Sequence, residues 1–179
     1  TAVINLAGRK VFPEEIEAVL NRHPAVRESR VYGVAHPHLG EVIEADVVVV
    51  PVLRAGLGMV DACLELLPMA RVGHIGLQRD EATALASRYY ERLPANTANA
   101  TVLIVDPMLA TGGSALAAID LVQRTGARDI RLLCVVAAPE GIAAIEAKHP
   151  TLPIYTPVID RELNPQKFIL PGLGDFGDR

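Results

Sequence analysis

The sequence predicts an α/β fold: a five-stranded parallel sheet with helices on both faces. Three observations carry that prediction. Half of the residues are hydrophobic, yet only 4% are aromatic and tryptophan is missing. That bias toward Ala, Val, Leu and Ile suits α/β layers better than a sandwich. Several short runs are apolar without alternation, such as VVVVPVL (47–53), TVLIV (101–105) and RLLCVV (131–136); they read as strands buried on both faces. Each is followed by a turn containing glycine and then by a helical period.

The chain opens with a different texture. AVINL (2–6) reads as a strand and AGRKVFP (7–13) as a turn. Pro13, followed by Glu14 and Glu15, opens a helix, because proline and acids both suit a first turn. Ile16, Val19 and Leu20 form its stripe, and it stops near His23-Pro24. ESRVYGVA (28–35) and VIEADVVVV (42–50) read as two strands joined by a HPHLGE turn. Residues 1–48 thus form a small α+β unit. His36 and His38 lie two apart but have no third ligand nearby, so they read as part of that turn and no protein metal site is predicted.

From there the α/β pattern takes over, and residues 49–179 read as the main domain. Parallel strands are expected near 46–52, 72–78, 101–106, 131–136 and 153–158. Arg54, Ala55, Gly56 and Gly58 form a loop before a helix from Met59 to Leu67. A strand ends at Arg79-Asp80-Glu81, and residues 82–94 are expected to form a loop. Residues 137–141 read as a turn before a helix from Ile142 to Lys148.

The stretch TVLIVDPMLATGGSALAAIDLVQ (101–123) is the centre of the functional reading. A strand ends in Asp106, and Pro107, Met108, Leu109 and Ala110 lead to Thr111, Gly112, Gly113 and Ser114 at the start of a helix. A helix N-terminus presents unpaired N–H groups and the positive end of its dipole, which together hold phosphate. Paired glycines let the backbone close on phosphate oxygens without a Cβ in the way. Thr111 and Ser114 add hydroxyl donors, and Asp106 stands where it can accept from sugar hydroxyls. The lysine of a GxxxxGK[ST] loop and the spacing of GxGxxG are both missing, which sets those two nucleotide loops aside.

An acid at a strand end followed by ATGGS resembles the diphosphoribosyl-binding signature of phosphoribosyltransferases. VVVVPVLRAGLGM resembles the diphosphate loop of uracil phosphoribosyltransferases, and FILPGLGDFGD (168–178) resembles their uracil-binding segment. The resemblance covers about Val49 to Arg179 with the motifs in order. It implies a type I phosphoribosyltransferase fold and transfer of 5-phosphoribosyl from 5-phosphoribosyl 1-diphosphate to uracil, giving UMP, with Mg²⁺ as cofactor. It also implies that Arg54, Ala55, Gly56, Arg79 and the 106–114 loop bind the donor. Main-chain groups of Ile169, Gly174 and Phe176 then read uracil, with Asp175 turned toward the donor and its metal; Asp106, Arg79 and Asp175 are the catalytic candidates. Phe176 stands where many members have alanine, which narrows or shields the pocket. The loop before Tyr89 and Tyr90 lacks the family's acidic and proline-rich middle. A homo-oligomer is implied as well, with GTP as a candidate effector. Alternatives are a phosphoribosyltransferase for another base and a nucleotide-binding protein that has lost catalysis.

The first 48 residues resemble part of the C-terminal subdomain of adenylate-forming acyl-CoA synthetases, through INLAGRKVFPEEIEAVLNRHPAVRESRVYGVAHPHLGEVIEADVVV. This implies a chimera. The part of that subdomain carrying the synthetases' catalytic lysine is missing, so no adenylation is expected.

A net charge of −4 argues against a surface that coats nucleic acid. The longest apolar run, Val47–Leu53, contains Pro51 and is too short to span a bilayer. Cys63 and Cys134 lack metal or redox spacing and read as buried reduced thiols, which with no expected leader peptide predicts a cytoplasmic protein.

Overall fold

The computed structural model describes residues 4–6, 9–22, 31, 33–36, 40–43, 46–79 and 86–174. The chain divides into two compact units, Thr1–Ala45 and Asp46–Arg179.

In the first unit, β1 (Ile4–Leu6), β2 (Arg9–Val11), β3 (Gly33–His36) and β4 (Gly40–Ile43) form an antiparallel sheet of order β2-β1-β4-β3. Helix α1 spans Pro13–Leu20 and has both acids, Glu14 and Glu15, in its first turn. The Glu17 carboxylate accepts the N–H of Val31 at 2.7 Å. Where the sequence suggested a turn, Arg9–Val11 forms a hairpin with Ile4–Leu6. The HPHLGE turn falls partly on residues 37–39, outside the described residues.

The second unit begins with β5 (Val47–Leu53), which is buried along nearly its whole length as its β-branched run requires. A 3-10 turn (Ala55–Met59) leads into α2 (Val60–Leu66). Then come β6 (Arg71–Val72), β7 (His74–Arg79), β8 (Ala86–Arg92) and β9 (Thr101–Val105), the last preceded by a 3-10 turn at Thr97–Asn99. After β10 (Met108–Leu109) follow α3 (Gly113–Arg124), β11 (Asp129–Leu133), β12 (Val136–Ala137) and α4 (Pro139–Lys148). Four short strands end the described chain: β13 (Ile154–Tyr155), β14 (Val158–Ile159), β15 (Glu162–Leu163) and β16 (Ile169–Leu170).

The main sheet runs β13-β11-β9-β5-β7-β8, with β6 also pairing β5. All its pairings are parallel except β7 with β8. Helices cover both faces. On one, Val48, Val50, Val102, Ile104, Ile130 and Leu132 pack with α3 and α4 through Ala118, Ile119, Val122 and Ile145. On the other, Cys63 of α2 packs on Val49 and Val105.

Within the second unit the structure departs from the sequence reading at four main places. The strand expected at 72–78 is two, β6 and β7, broken at Gly73. Pro51 explains the break: it has no N–H to give, and its central position is tolerated because the neighbouring strand is interrupted beside it. The segment expected as a loop before Leu93 is strand β8 from Ala86, antiparallel to β7. Helix α4 begins at Pro139, not Ile142, because proline is preorganised for a first helical position. Finally, the strands expected at 131–136 and 153–158 do not run through, and the strand expected at 101–106, found as β9, is followed by a further short strand. Each kinks, near Pro107, Cys134 and Pro157, and restarts in a second parallel sheet of order β10-β12-β14.

The core face predicts the mutational response. Ile119 is fully buried between α3 and the sheet, whereas Leu66 of α2 is 82% exposed. Ile119→Ala is expected to lower unfolding free energy by about 2–5 kcal/mol, and Leu66→Ala to change it by no more than about 0.5 kcal/mol, in urea titrations.

Candidate active site

The forking of the strands creates the site. The N–H of Asp106 extends the β9–β11 ladder by one hydrogen bond, to Leu133 O at 3.1 Å. Beyond it, Pro107 O accepts the N–H groups of Val135 and Val136, and Leu109 O accepts that of Ala138. Asp106 therefore sits in the crotch between the two sheets, at the carboxyl ends of the strands, where open α/β sheets place ligands. It keeps some contact with solvent but is densely surrounded by protein. That desolvation pushes its carboxyl up from an ordinary 3.8 to about 6, against a downward pull from the Met108 N–H that it accepts. Cys134 lies nearby; its burial and the Asp106 charge push its thiol up to about 12, so it stays protonated at neutral pH. Both Cys63 and Cys134 are free and buried.

After β10 the chain turns through Ala110, Thr111 and Gly112 into α3. Gly112 is the N-cap, in the left-handed region at φ 82°, and no side chain caps the helix. The first intrahelical bond is Leu116 N–H to Gly112 O at 2.8 Å, so the earlier amides of α3 are the ones a bound anion would satisfy. The two glycines differ in kind. A Cβ on Gly112 would press on Ala144 and the Gly141 carbonyl, both 3.1 Å away. A Cβ on Gly113 would meet only Thr111 Oγ1 at 3.7 Å, which leaves the space above this exposed residue open.

Gly141 supports this loop from below. It sits in the first turn of α4, and a Cβ there would lie 2.4 Å from Ala110 O and 2.9 Å from Leu109 O. In the sequence it reads as a turn glycine, because its constraint comes from Leu109 and Ala110, some thirty residues away.

The other expected site residues gather at the same edge. Arg54 follows β5 directly, after a cis Leu53–Arg54 peptide, and is exposed. Ala55 and Gly56 lie in the 3-10 turn, where a Cβ on Gly56 would come within 2.4 Å of Val105 O and 3.1 Å of Pro51 Cα. That glycine therefore lets the turn lie against the end of β9, next to Asp106. Arg79 is the last residue of β7, so its backbone is at this edge too.

The tail reaches the site from the far side. Ile169, in β16, packs with Val136, Ala138, Met108, Ala110 and Leu163. Its side chain is a buried anchor, and what it can present outward is main chain. Gly174 lies beyond it at φ 81° with open space around it. Asp175 and Phe176 lie outside the described residues. Among the described residues no cluster of three or more His, Cys, Asp or Glu could hold a metal, and no helix is long and apolar enough to cross a membrane.

The second unit has the fold of type I phosphoribosyltransferases. A purine phosphoribosyltransferase from Pyrococcus horikoshii superposes with TM-score 0.52 at 19% identity, over 64% of this chain and 71% of that one. Closer in sequence, the AQ2163 protein from Aquifex aeolicus matches with TM-score 0.74 and 32% identity, covering 92% of this chain and 79% of that one. The chain belongs to the uracil phosphoribosyltransferase family, whose model matches residues 13–179. A uracil phosphoribosyltransferase of Pediococcus pentosaceus is 54% identical over 133 residues, 74% of this chain and 64% of that protein. The chain spans a little under two thirds of the curated relatives it matches. The family match takes in most of the segment likened above to a synthetase subdomain, and the chimera finds no support in it.

The raised Asp106 carboxyl gives a signed expectation. Below pH 3.8 the group is protonated folded or unfolded and contributes nothing; above about 6 it is charged in both states and its burial costs stability. The gap corresponds to at most about 3 kcal/mol, lost as pH rises from 4 to 6. Asp106→Asn is thus expected to melt higher than the parent at pH 7–8 and at the same temperature near pH 3.5, read by circular dichroism without ligand.

Proposed function

We propose that this chain transfers the 5-phosphoribosyl group from 5-phosphoribosyl 1-diphosphate to uracil, forming UMP and releasing diphosphate. The observation that carries the reading is that the desolvated Asp106 carboxyl, the loop running through Ala110 to the uncapped start of α3, and the buried Ile169 meet around Met108 and Ala110. Membership of the uracil phosphoribosyltransferase family and 54% identity to a named relative support it.

In this reading the loop from Pro107 to Ser114 holds the donor, with its 5′-phosphate on the backbone of Thr111, Gly112, Gly113 and Ser114. Asp106 accepts hydrogen bonds from the ribose hydroxyls, which requires the carboxylate; those donors offset the desolvation that raises it. Arg54 and the amides of Ala55 and Gly56 meet the diphosphate, and Arg79 contacts the donor from the neighbouring strand. As diphosphate leaves, positive charge develops at the sugar carbon, and the protein acts by positioning and charge stabilisation. Uracil is read by main-chain groups of Ile169, Gly174 and Phe176, with Asp175 facing the donor.

Mg²⁺ fits this site as part of the bound donor, because it prefers phosphate and water oxygens, and Asp106 would hold the ribose hydroxyls beside it. When bound, it neutralises charge on the departing diphosphate. The reading further places the protein in the cytoplasm as a homo-oligomer, with GTP as a candidate effector. The synthetase likeness of residues 1–48 rests on their sequence alone, and every residue given a role in this reading lies within 49–179.

Three measurements test the assignment. Gly113→Val fills the open space over the loop, so donor binding by calorimetry should fall at least tenfold while the fold survives; unchanged binding would remove the phosphate loop from the reading. Chromatography should show UMP from uracil, with cytosine at least about tenfold poorer, since an unmatched buried polar edge costs roughly 1–3 kcal/mol. Equal turnover of cytosine would point to another base. ATP–diphosphate exchange should be absent.

A further inference from the structure

Residues 171–174, the described part of the chain after β16, lie in no strand or helix, so their amides depend on other partners. One is available. The N–H of Gly172 donates to Asp160 Oδ2 at 2.8 Å. Gly172 is left-handed at φ 67°, and a Cβ there would lie 2.3 Å from Ile169 O, so the turn is tight. Asp160 is itself anchored: its N–H donates to Ala137 O at 2.9 Å. Ala137 stands in register with Leu109, one residue before the loop that enters α3. A short path thus runs from Gly172 through Asp160 and Ala137 to the start of the phosphate loop. Nearby, Arg161 N–H donates to Leu170 O at 3.1 Å and fixes the hairpin from which the segment leaves.

We propose that Asp160 is a positioning residue for base recognition, its carboxylate holding the Gly172 turn and with it the main-chain groups of Leu173 and Gly174. The inference rests on the reading of 169–176 as the base-binding segment. Asp160 touches neither substrate in this account. It acts through the Gly172 amide, and needs an acceptor oxygen rather than a negative charge. Aspartate and asparagine both supply that oxygen; alanine does not. The donor half of the site lies on the other side of Ala137 and is held by the main-chain ladder, so removing the carboxylate should affect base and donor unequally.

The test uses the full chain and the variants Asp160→Ala and Asp160→Asn. Initial rates of UMP formation, varying uracil and donor in turn, are expected to show KM for uracil raised about tenfold or more in Asp160→Ala, the scale of one hydrogen bond to a charged group. KM for the donor should stay within twofold, and Asp160→Asn should recover most of the loss. Amide exchange followed by mass spectrometry should speed up over residues 168–174 in Asp160→Ala but not in Asp160→Asn. An unchanged KM for uracil in Asp160→Ala overturns the inference. So does a rise in both KM values together with a lower melting temperature, which marks a merely structural residue. If the parent chain forms no UMP, the proposed function fails, and exchange alone judges the latch. Protection of 168–174 lost only in the alanine variant then supports it, and equal exchange in all three proteins overturns it.

Discussion

The carbonyl oxygen of Pro107 accepts two amides, those of Val135 and Val136, each at 3.0 Å, and the architecture of the crevice hangs on that junction. A regular parallel ladder has evenly spaced bonds. A proline at this point has no N–H, so β9 cannot carry the ladder on beyond Asp106. The strands separate there and re-form as β10, β12 and β14 at a new angle. The opening between the two ladders is where Asp106 comes to lie. Had the ladder continued flat, the acid would have alternated onto a sheet face and been covered.

Close backbone approach is the second organising constraint. Gly56 lets the first turn settle on Val105, Gly112 lets the second settle on α4, and Gly141 lets α4 come up beneath Leu109 and Ala110. At each of the three a main-chain oxygen is among the nearest atoms, which makes the edge stiff. Against that stiffness stands the energetic burden of a carboxyl kept largely from water, the kind of strain that recurs where folds are adapted to ligands and not to stability alone.

Much of the fold was legible because its signals are local. Continuous β-branched runs marked β5 and β9, and ATGGS marked the start of α3. Other features were hidden because they depend on partners distant in sequence. Nothing local says that Arg88, Tyr89 and Tyr90 will form a strand; that comes from β7, whose Gly76 leaves room for the Tyr89 ring. The kinks at Pro107 and Pro157 were readable as prolines but not as the seam between two sheets. The start of α4 was missed although Pro139 announced it as plainly as Pro13 announced α1. Asp160 and Gly141 carried no local mark, since their meaning lies in Gly172 and in Ala110.

The second ladder also bears on how such a chain can diverge. Its cross-strand bonds belong to the backbone at Met108–Leu109, Val136–Ala137 and Val158–Ile159, but Leu109, Val136 and Ala137 are buried, so side chains vary freely only at the exposed Val158 and Ile159. Drift there leaves the spacing of the ladder intact. To widen or narrow the gap between the loop entering α3 and the hairpin of β15 and β16, a lineage must gain or lose whole residues. Point substitution therefore alters affinity within a fixed frame, and the frame itself is inherited through chain length.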